Sequence, residues 1–240
     1  MFKYLNLIII CLIFLICVSV VLNEWSEEIV FSVVNSNPKH SEISNKKINT
    51  MSDPIQVDLP EFTKMFKIYT HQKTYFIEPK AKYSISGRVL SKNRKLGPGV
   101  TRDDHDLAIP IDIVLGWSDV SNVKLFEKNV ECLNQYATRN GRSAFAILSK
   151  GSTWSYDYLW SHASHNHIIP GSNNVMAILL KIKKYDVVKM TGYLVDVHKD
   201  GKTISRTSLS RYDDNETSRG GGACEVFYVQ SVQVGDKVYK

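Results

Sequence analysis

A chain of 240 residues with a hydrophobic fraction of 43% is ordinary for a globular protein and can bury a real core. The formal charge of +6 suits anionic partners, but the basic residues are scattered without a run of about five or more, which excludes a polybasic tail. Four cysteines with no C-x-x-C spacing exclude the common zinc-knuckle and thioredoxin patterns.

Residues 5–22 (LNLIIICLIFLICVSVVL) form an uncharged apolar run, and roughly 18 to 20 such residues span a hydrocarbon core of about 30 Å. Lys3 precedes the run, whereas Glu24, Glu27 and Glu28 follow it, so the positive-inside bias leaves residues 1–4 in the cytoplasm and exports the rest. The expectation is a single-pass anchor in the inner (plasma) membrane, contacting lipid through residues 5–22. A cleaved signal peptide competes with it, although the run is long for one and no A-x-A-like site follows. Residues 23–58, rich in Ser, Asn, Lys and Glu, read as a stalk, and 59–240 as an exported domain.

Within that domain, Lys82–Leu90 alternates as a strand, and Leu96–Asp106 reads as a loop around Gly-Pro-Gly and TRDDHD. Ile109, Ile111, Ile113, Leu115 and Trp117 share one face at period two, with Asp112 on the other. Asn122–Cys132 suggests a short helix and Ser143–Leu148 a strand. Asn173–Lys183 has the pattern of a helix capped by Ser172 or Asn173, with lysines at its end. A long strand follows over VVKMTGYLVDVH, with Asp200-Gly201 as a hairpin turn, a return over about Thr203–Arg211 and a last strand over Ala223–Val234. The expected fold is a β-rich α+β domain, barrel-like or sandwich-like, with one or two short helices. Glycines in ISGRVL and KMTGYLV suit strongly curved strands of OB or SH3-like barrels, which bind oligosaccharides or oligonucleotides. Tyr83, Trp117, Trp154, Tyr158, Trp160 and Tyr193 are candidate stacking faces, and core packing is their default role.

Three of the seven histidines, His162, His165 and His167, fall within one short segment. On extended backbone His165 and His167 share a face and suit one zinc or copper ion, with Asp112, His105 or Glu225 as further ligands. No H-E-x-x-H occurs, and histidines that hold a loop by hydrogen bonds explain the segment without a cofactor. Cys224 beside Glu225, with either histidine near, would also permit a Cys–His nucleophile. Cys132 and Cys224 are compatible with a disulfide or with two separate thiols. Gly220–Gly222 could form an anion-binding nest, and Asn215-Glu216-Thr217 matches a glycosylation sequon.

From Tyr83 onward the blocks SISGRVL, DLAIPIDIVLGW, SHNHIIP, TGYLVDV, TSLSR and GACEVFYV cover about two thirds of the chain. Their order resembles a family of uncharacterised, membrane-anchored bacterial proteins. The resemblance implies a compartment and a kind of domain, without an activity. The polar stretch Asp213–Gly222 is longer than the family's pattern.

Together these features lead to an envelope binding or assembly module without catalysis, whose surface centres on Trp117, Trp160, His165, His167 and Arg211. No cofactor is required, and the expected partner is an envelope protein or cell-wall polymer, ahead of nucleic acid. The competing reading is an envelope hydrolase, metal-assisted, that uses His162, His165 and His167 with Asp112 or Glu225.

Overall fold

The computed structural model describes residues 37–61, 63–95, 103–138, 141–210 and 224–240, and Pro38–Lys240 forms one compact unit. The apolar run 5–22 lies outside the described residues, as do the greater part of the Gly-Pro-Gly loop, Arg211, the sequon and the triple glycine. Among the described residues no helix is long and apolar enough to cross a membrane.

The domain is β-rich with a few short helices. Strands β1 (Glu42–Ile43), β2 (Ile55–Asp58) and β3 (Phe66–Thr70) precede the long β4 (Lys73–Arg94). Helix α1 (Asp104–Ala108) and strand β5 (Ile111–Gly116) follow, then α2 (Val123–Asn129) and the hairpin β6 (Val130–Thr138) and β7 (Gly141–Leu148). Next come α3 (Tyr156–Ser161), β8 (Ala163–Pro170), α4 (Asn173–Lys181), β9 (Val187–Lys199), β10 (Lys202–Ser205), β11 (Glu225–Val234) and β12 (Lys237–Tyr239).

Five of these strands close on themselves. β4 pairs with β5, β5 with β8, β8 with β11, β11 with β9, and β9 again with β4. All contacts in the ring are antiparallel except β8–β11, where Glu225 to Val229 run beside Asn166 to Pro170 in parallel. A single strand serves two neighbours because β4 is long: Phe76–Arg88 pairs with β9, and Arg88–Arg94 with β5. Two strands of the ring approach closely at one glycine. At Gly192 a Cβ would stand 1.9 Å from the Tyr228 carbonyl oxygen, opposite the bulge between Val229 and Ser231 in β11.

The ring encloses the largest apolar cluster, with Tyr83, Ile85, Ile111, Ile113, Leu115, Trp117, Ile168, Met190, Leu194 and Phe227 among its members. Helix α4 supplies Val175, Ile178 and Leu179 to the same cluster. Its start is fixed by Ser172, whose hydroxyl accepts from the Val175 N–H at 3.1 Å. Its end is held by Lys92, which donates to the carbonyls of Leu179, Leu180 and Ile182. A second cluster on the outside of the ring joins Tyr75, Ile77, Ala108, Ile109, Ile169, Val195, Val197 and Val226. A third packs α2, α3 and the β6–β7 hairpin on Leu90, Val114 and Ala163.

Several sequence expectations need correction. Part of the proposed stalk belongs to the sheet: β1 pairs with β12 and β2 with β4, because these strands leave edges that a nearby extended segment can cover. Asp104–Ala108 is a short helix where a loop was expected, since Asp103 accepts from the Asp106 N–H at 2.9 Å and caps it. The return strand after Asp200-Gly201 stops at Ser205. The turn itself is as expected, with φ of 49° and 74° at these two residues, as a type I′ hairpin requires.

Candidate functional site

β8 is buried on both faces, and period two divides its side chains. Ser164 and Asn166 share the parity of Ile168 and point into the ring, while His165 and His167 point outward. The same division holds on β11, where Glu225 has the parity of the interior residues Phe227 and Val229. Glu225 therefore meets Ser164, whose hydroxyl donates to its Oε2 at 2.8 Å, and Asn166 donates to Ser164 Oγ at 2.9 Å. The structure does not bring Glu225 to the face of the histidines.

On the outer face the register sets Asp112 of β5 opposite His167 of β8. His167 Nδ1 donates to Asp112 Oδ1 at 2.7 Å, and Lys95 Nζ lies 2.8 Å from the same oxygen. Asp112 is 2% exposed and Lys95 6%, so the ion pair is isolated from bulk water. Burial opposes the charge on Asp112, but His167 and Lys95 outweigh it and hold the carboxyl below the usual carboxylate range. Asp106 stands 3.8 Å from Lys95 on the far side.

His165 and His167 are neighbours on one strand face, with ring centroids 4.6 Å apart. The parallel register that sets Glu225 beside Asn166 places Cys224 beside His165, and Cys224 Sγ lies 3.3 Å from His165 Nδ1. Burial, followed by the neighbouring His167, pushes the His165 imidazole down to about 3, which keeps it neutral at physiological pH. One ligand atom from each of His165, His167 and Cys224 lies within 4.8 Å of the other two.

Helix α1 lies over this face. Its His105 packs edge-on against His167 at 5.7 Å between centroids, and Asp104 ties the helix to Lys73 at 2.7 Å and Lys199 at 2.8 Å. Those two lysines hold Asp104 down at about 2, while burial and the nearby Asp104 push Tyr75 up to about 12.

The other sequence candidates are placed elsewhere. Trp117 is fully buried inside the ring, where its indole N–H donates to Asp53 at 2.9 Å, and Trp160 belongs to the third apolar cluster. Neither can form part of an exposed surface, because each fills a core position at the end of its element. His162 lies beyond the end of α3, its Nδ1 2.9 Å from the Tyr158 carbonyl oxygen, and its ring stacks on Tyr158. Arg211 lies outside the described residues. Cys132 and Cys224 are not bridged: Cys132 sits in the β6–β7 hairpin, whereas Cys224 faces His165. Sequence reasoning missed Lys95, which follows Lys92 and Arg94 in a short basic stretch, and nothing local marked it as buried.

No protein-family model, no curated protein and no solved structure matches this chain. The chemistry of the site is thus read from its own residues. A carboxylate-anchored histidine beside a neutral histidine and a thiol offers metal ligation or proton exchange, in a setting that admits little water.

Proposed function

We propose that this protein is a membrane-tethered binding module of the cell envelope, built on an OB-type barrel and not assumed to be catalytic. The observation that carries the reading is the closed ring with its single parallel contact. In chain order the ring strands are β4, β5, β8, β9 and β11, and around the ring they run first, second, third, fifth, fourth. That is the five-stranded Greek-key arrangement of OB folds, which hold oligosaccharides or oligonucleotides on the face of the second and third strands, between the first and last long connections. The equivalent face here is the outer side of β5 and β8, where Asp112, His165 and His167 lie. Lys95 and α1 border it from one connection, and β10 with Thr207 from the other.

The chemistry of this face favours a polar saccharide over stacked bases. Of the candidate stacking residues, Tyr83 and Trp117 are core residues of the ring, Trp154, Tyr158 and Trp160 belong to the third cluster, and Tyr193 packs against the second. The charge of +6 favours an anionic polymer of the envelope. The apolar run 5–22 would hold the module at high effective concentration near that polymer. A metal-assisted hydrolase gains from the convergence of His165, His167 and Asp112, but the three are only 2 to 6% exposed beneath α1, so a polymer would engage the rim of the face, at Leu107 and Thr207, and would not reach them.

The test uses the full chain in detergent, with a photo-crosslinking residue at Leu107 or Thr207 on this face, or at Lys189 on β9 across the ring. Soluble anionic cell-wall fragments and single-stranded DNA are offered in parallel. The reading requires glycan adducts from the first two positions and none from Lys189. Adducts from DNA alone, equal labelling at Lys189, or no adducts at all would reject it.

A further inference from the structure

The outward face of β8 carries a ligand set that its neighbours complete. We propose that His165, His167 and Cys224 bind a single thiophilic divalent ion, zinc in the first place, and that Asp112 orients His167 without ligating the metal itself. This deepens the binding-module reading by assigning a metal to its face, yet depends on that reading for nothing but location.

Three features of the geometry point to this site. The first is the sulfur–nitrogen distance. Zinc binds sulfur at about 2.3 Å and imidazole nitrogen at about 2.0 Å, so two such ligands at a tetrahedral angle lie about 3.5 Å apart. Cys224 Sγ and His165 Nδ1 are 3.3 Å apart, close to what one shared ion requires and without a strand having to move. The second is the orientation of His167. Its Nδ1 is committed to Asp112 at 2.7 Å, which leaves Nε2 as the ring nitrogen for a ligand. A carboxylate behind a ligating histidine is the recurrent outer partner of zinc sites, where it fixes the tautomer and raises basicity. Asp112 is in turn held by Lys95 at 2.8 Å, so it already has two partners and is poorly placed to leave them for a metal.

The third feature is rigidity. The two histidines are two residues apart on a strand paired on both sides, and Cys224 directly precedes its parallel neighbour β11. One ligand atom from each of the three residues falls within 4.8 Å of the other two, which leaves a gap of at most about 1.5 Å to tetrahedral spacing. Two imidazoles and a thiolate suit zinc or copper and discriminate against magnesium and calcium, which require oxygen. Binding deprotonates the Cys224 thiol, and the proton leaves to solvent.

The experiment takes the full-length protein in detergent, reduced and stripped with chelator, and titrates it with Co²⁺ and then Zn²⁺. One equivalent of cobalt should give a thiolate-to-cobalt charge-transfer band in the near ultraviolet, and one equivalent of zinc should bleach it. Cys224→Ser should abolish that band and Cys132→Ser should leave it unchanged. Asp112→Asn should keep the band but weaken zinc binding about 10- to 100-fold in a chelator competition. Cys224→Ser is accepted only if its circular dichroism is that of the parent. If it does not fold, the wild-type protein decides: zinc should slow alkylation of Cys224, mapped by peptide mass, and not that of Cys132. Absence of stoichiometric binding, a band that survives in folded Cys224→Ser, or equal alkylation with and without zinc would overturn the proposal. None of these outcomes bears on whether the face binds glycan, so the two readings fail separately.

Discussion

The Asp112–Lys95 pair gives the sharpest stability prediction. Both side chains are almost wholly buried, 2.8 Å apart, and Asp112 also accepts from His167. Asp112→Asn keeps the shape and an acceptor for His167 but leaves the Lys95 ammonium without its principal counter-charge. Breaking a buried pair from one side costs about 3–5 kcal/mol, because the remaining charge has lost both water and partner. Asp106, 3.8 Å from Lys95, recovers part of this and argues for the lower end. For a domain of this size each kcal/mol moves the melting midpoint by about 2–4 °C, so a fall of about 6–12 °C is expected. The informative companion is Lys95→Met. Alone it strands the carboxylate, but combined with Asp112→Asn it leaves no unpaired charge, so the double variant should be more stable than the sum of the single losses by about 1.5 kcal/mol or more. Urea unfolding of the chelator-treated protein, followed by tryptophan fluorescence from the buried Trp117 and Trp160, measures all three. An Asp112→Asn loss below about 1 kcal/mol, or strict additivity in the double variant, would refute the claim that the pair is desolvated and coupled.

Three further outcomes follow from other parts of the domain. Gly192→Ala places a methyl 1.9 Å from the Tyr228 carbonyl oxygen, with backbone on that side that cannot give way cheaply, so a loss of about 3 kcal/mol or more is expected in the same unfolding assay. Asn129, buried at the end of α2, accepts from the Thr153 N–H at 2.7 Å and from the Ser152 and Thr153 hydroxyls; Asn129→Ala should cost about 2–3 kcal/mol, and Asn129→Asp should recover part of it by keeping the acceptor. Asp104 is lowered from 3.8 to about 2 by Lys199 and Lys73, so its contribution is complete above the unfolded value and is lost as pH falls through that interval. Asp104→Asn should therefore flatten the fall in urea midpoint between these two pH values, its cost greatest at neutral pH, modest there because the group is partly exposed, and gone at the acid end.

Where a feature depends on a few neighbouring residues, it was legible. The period-two face holds for Ile111, Ile113, Leu115 and Trp117 but not for Ile109, which ends α1 and packs in the second cluster; the Ser172 cap, the Asp200-Gly201 turn, and the shared face of His165 and His167 appear as expected. Each is set by backbone geometry within one element, where spacing alone decides which side chains are neighbours. The site was only half legible for the same reason. The two histidines are two positions apart, but Cys224 reaches His165 from 59 positions away through the parallel β8–β11 contact, and no local pattern announces that register.

Local sequence pattern was enough for a β-rich domain, the helix that follows Ser172 and the alternation of its strands. Tertiary structure alone decided that β4 closes the ring with β9, that Trp117 and Trp160 fill cores, and that Glu225 faces inward while Asp112 faces the histidines. The difference is physical. Propensity and periodicity act over a turn or a few strand residues, whereas burial and ion pairing depend on which distant segments the hydrophobic core draws together.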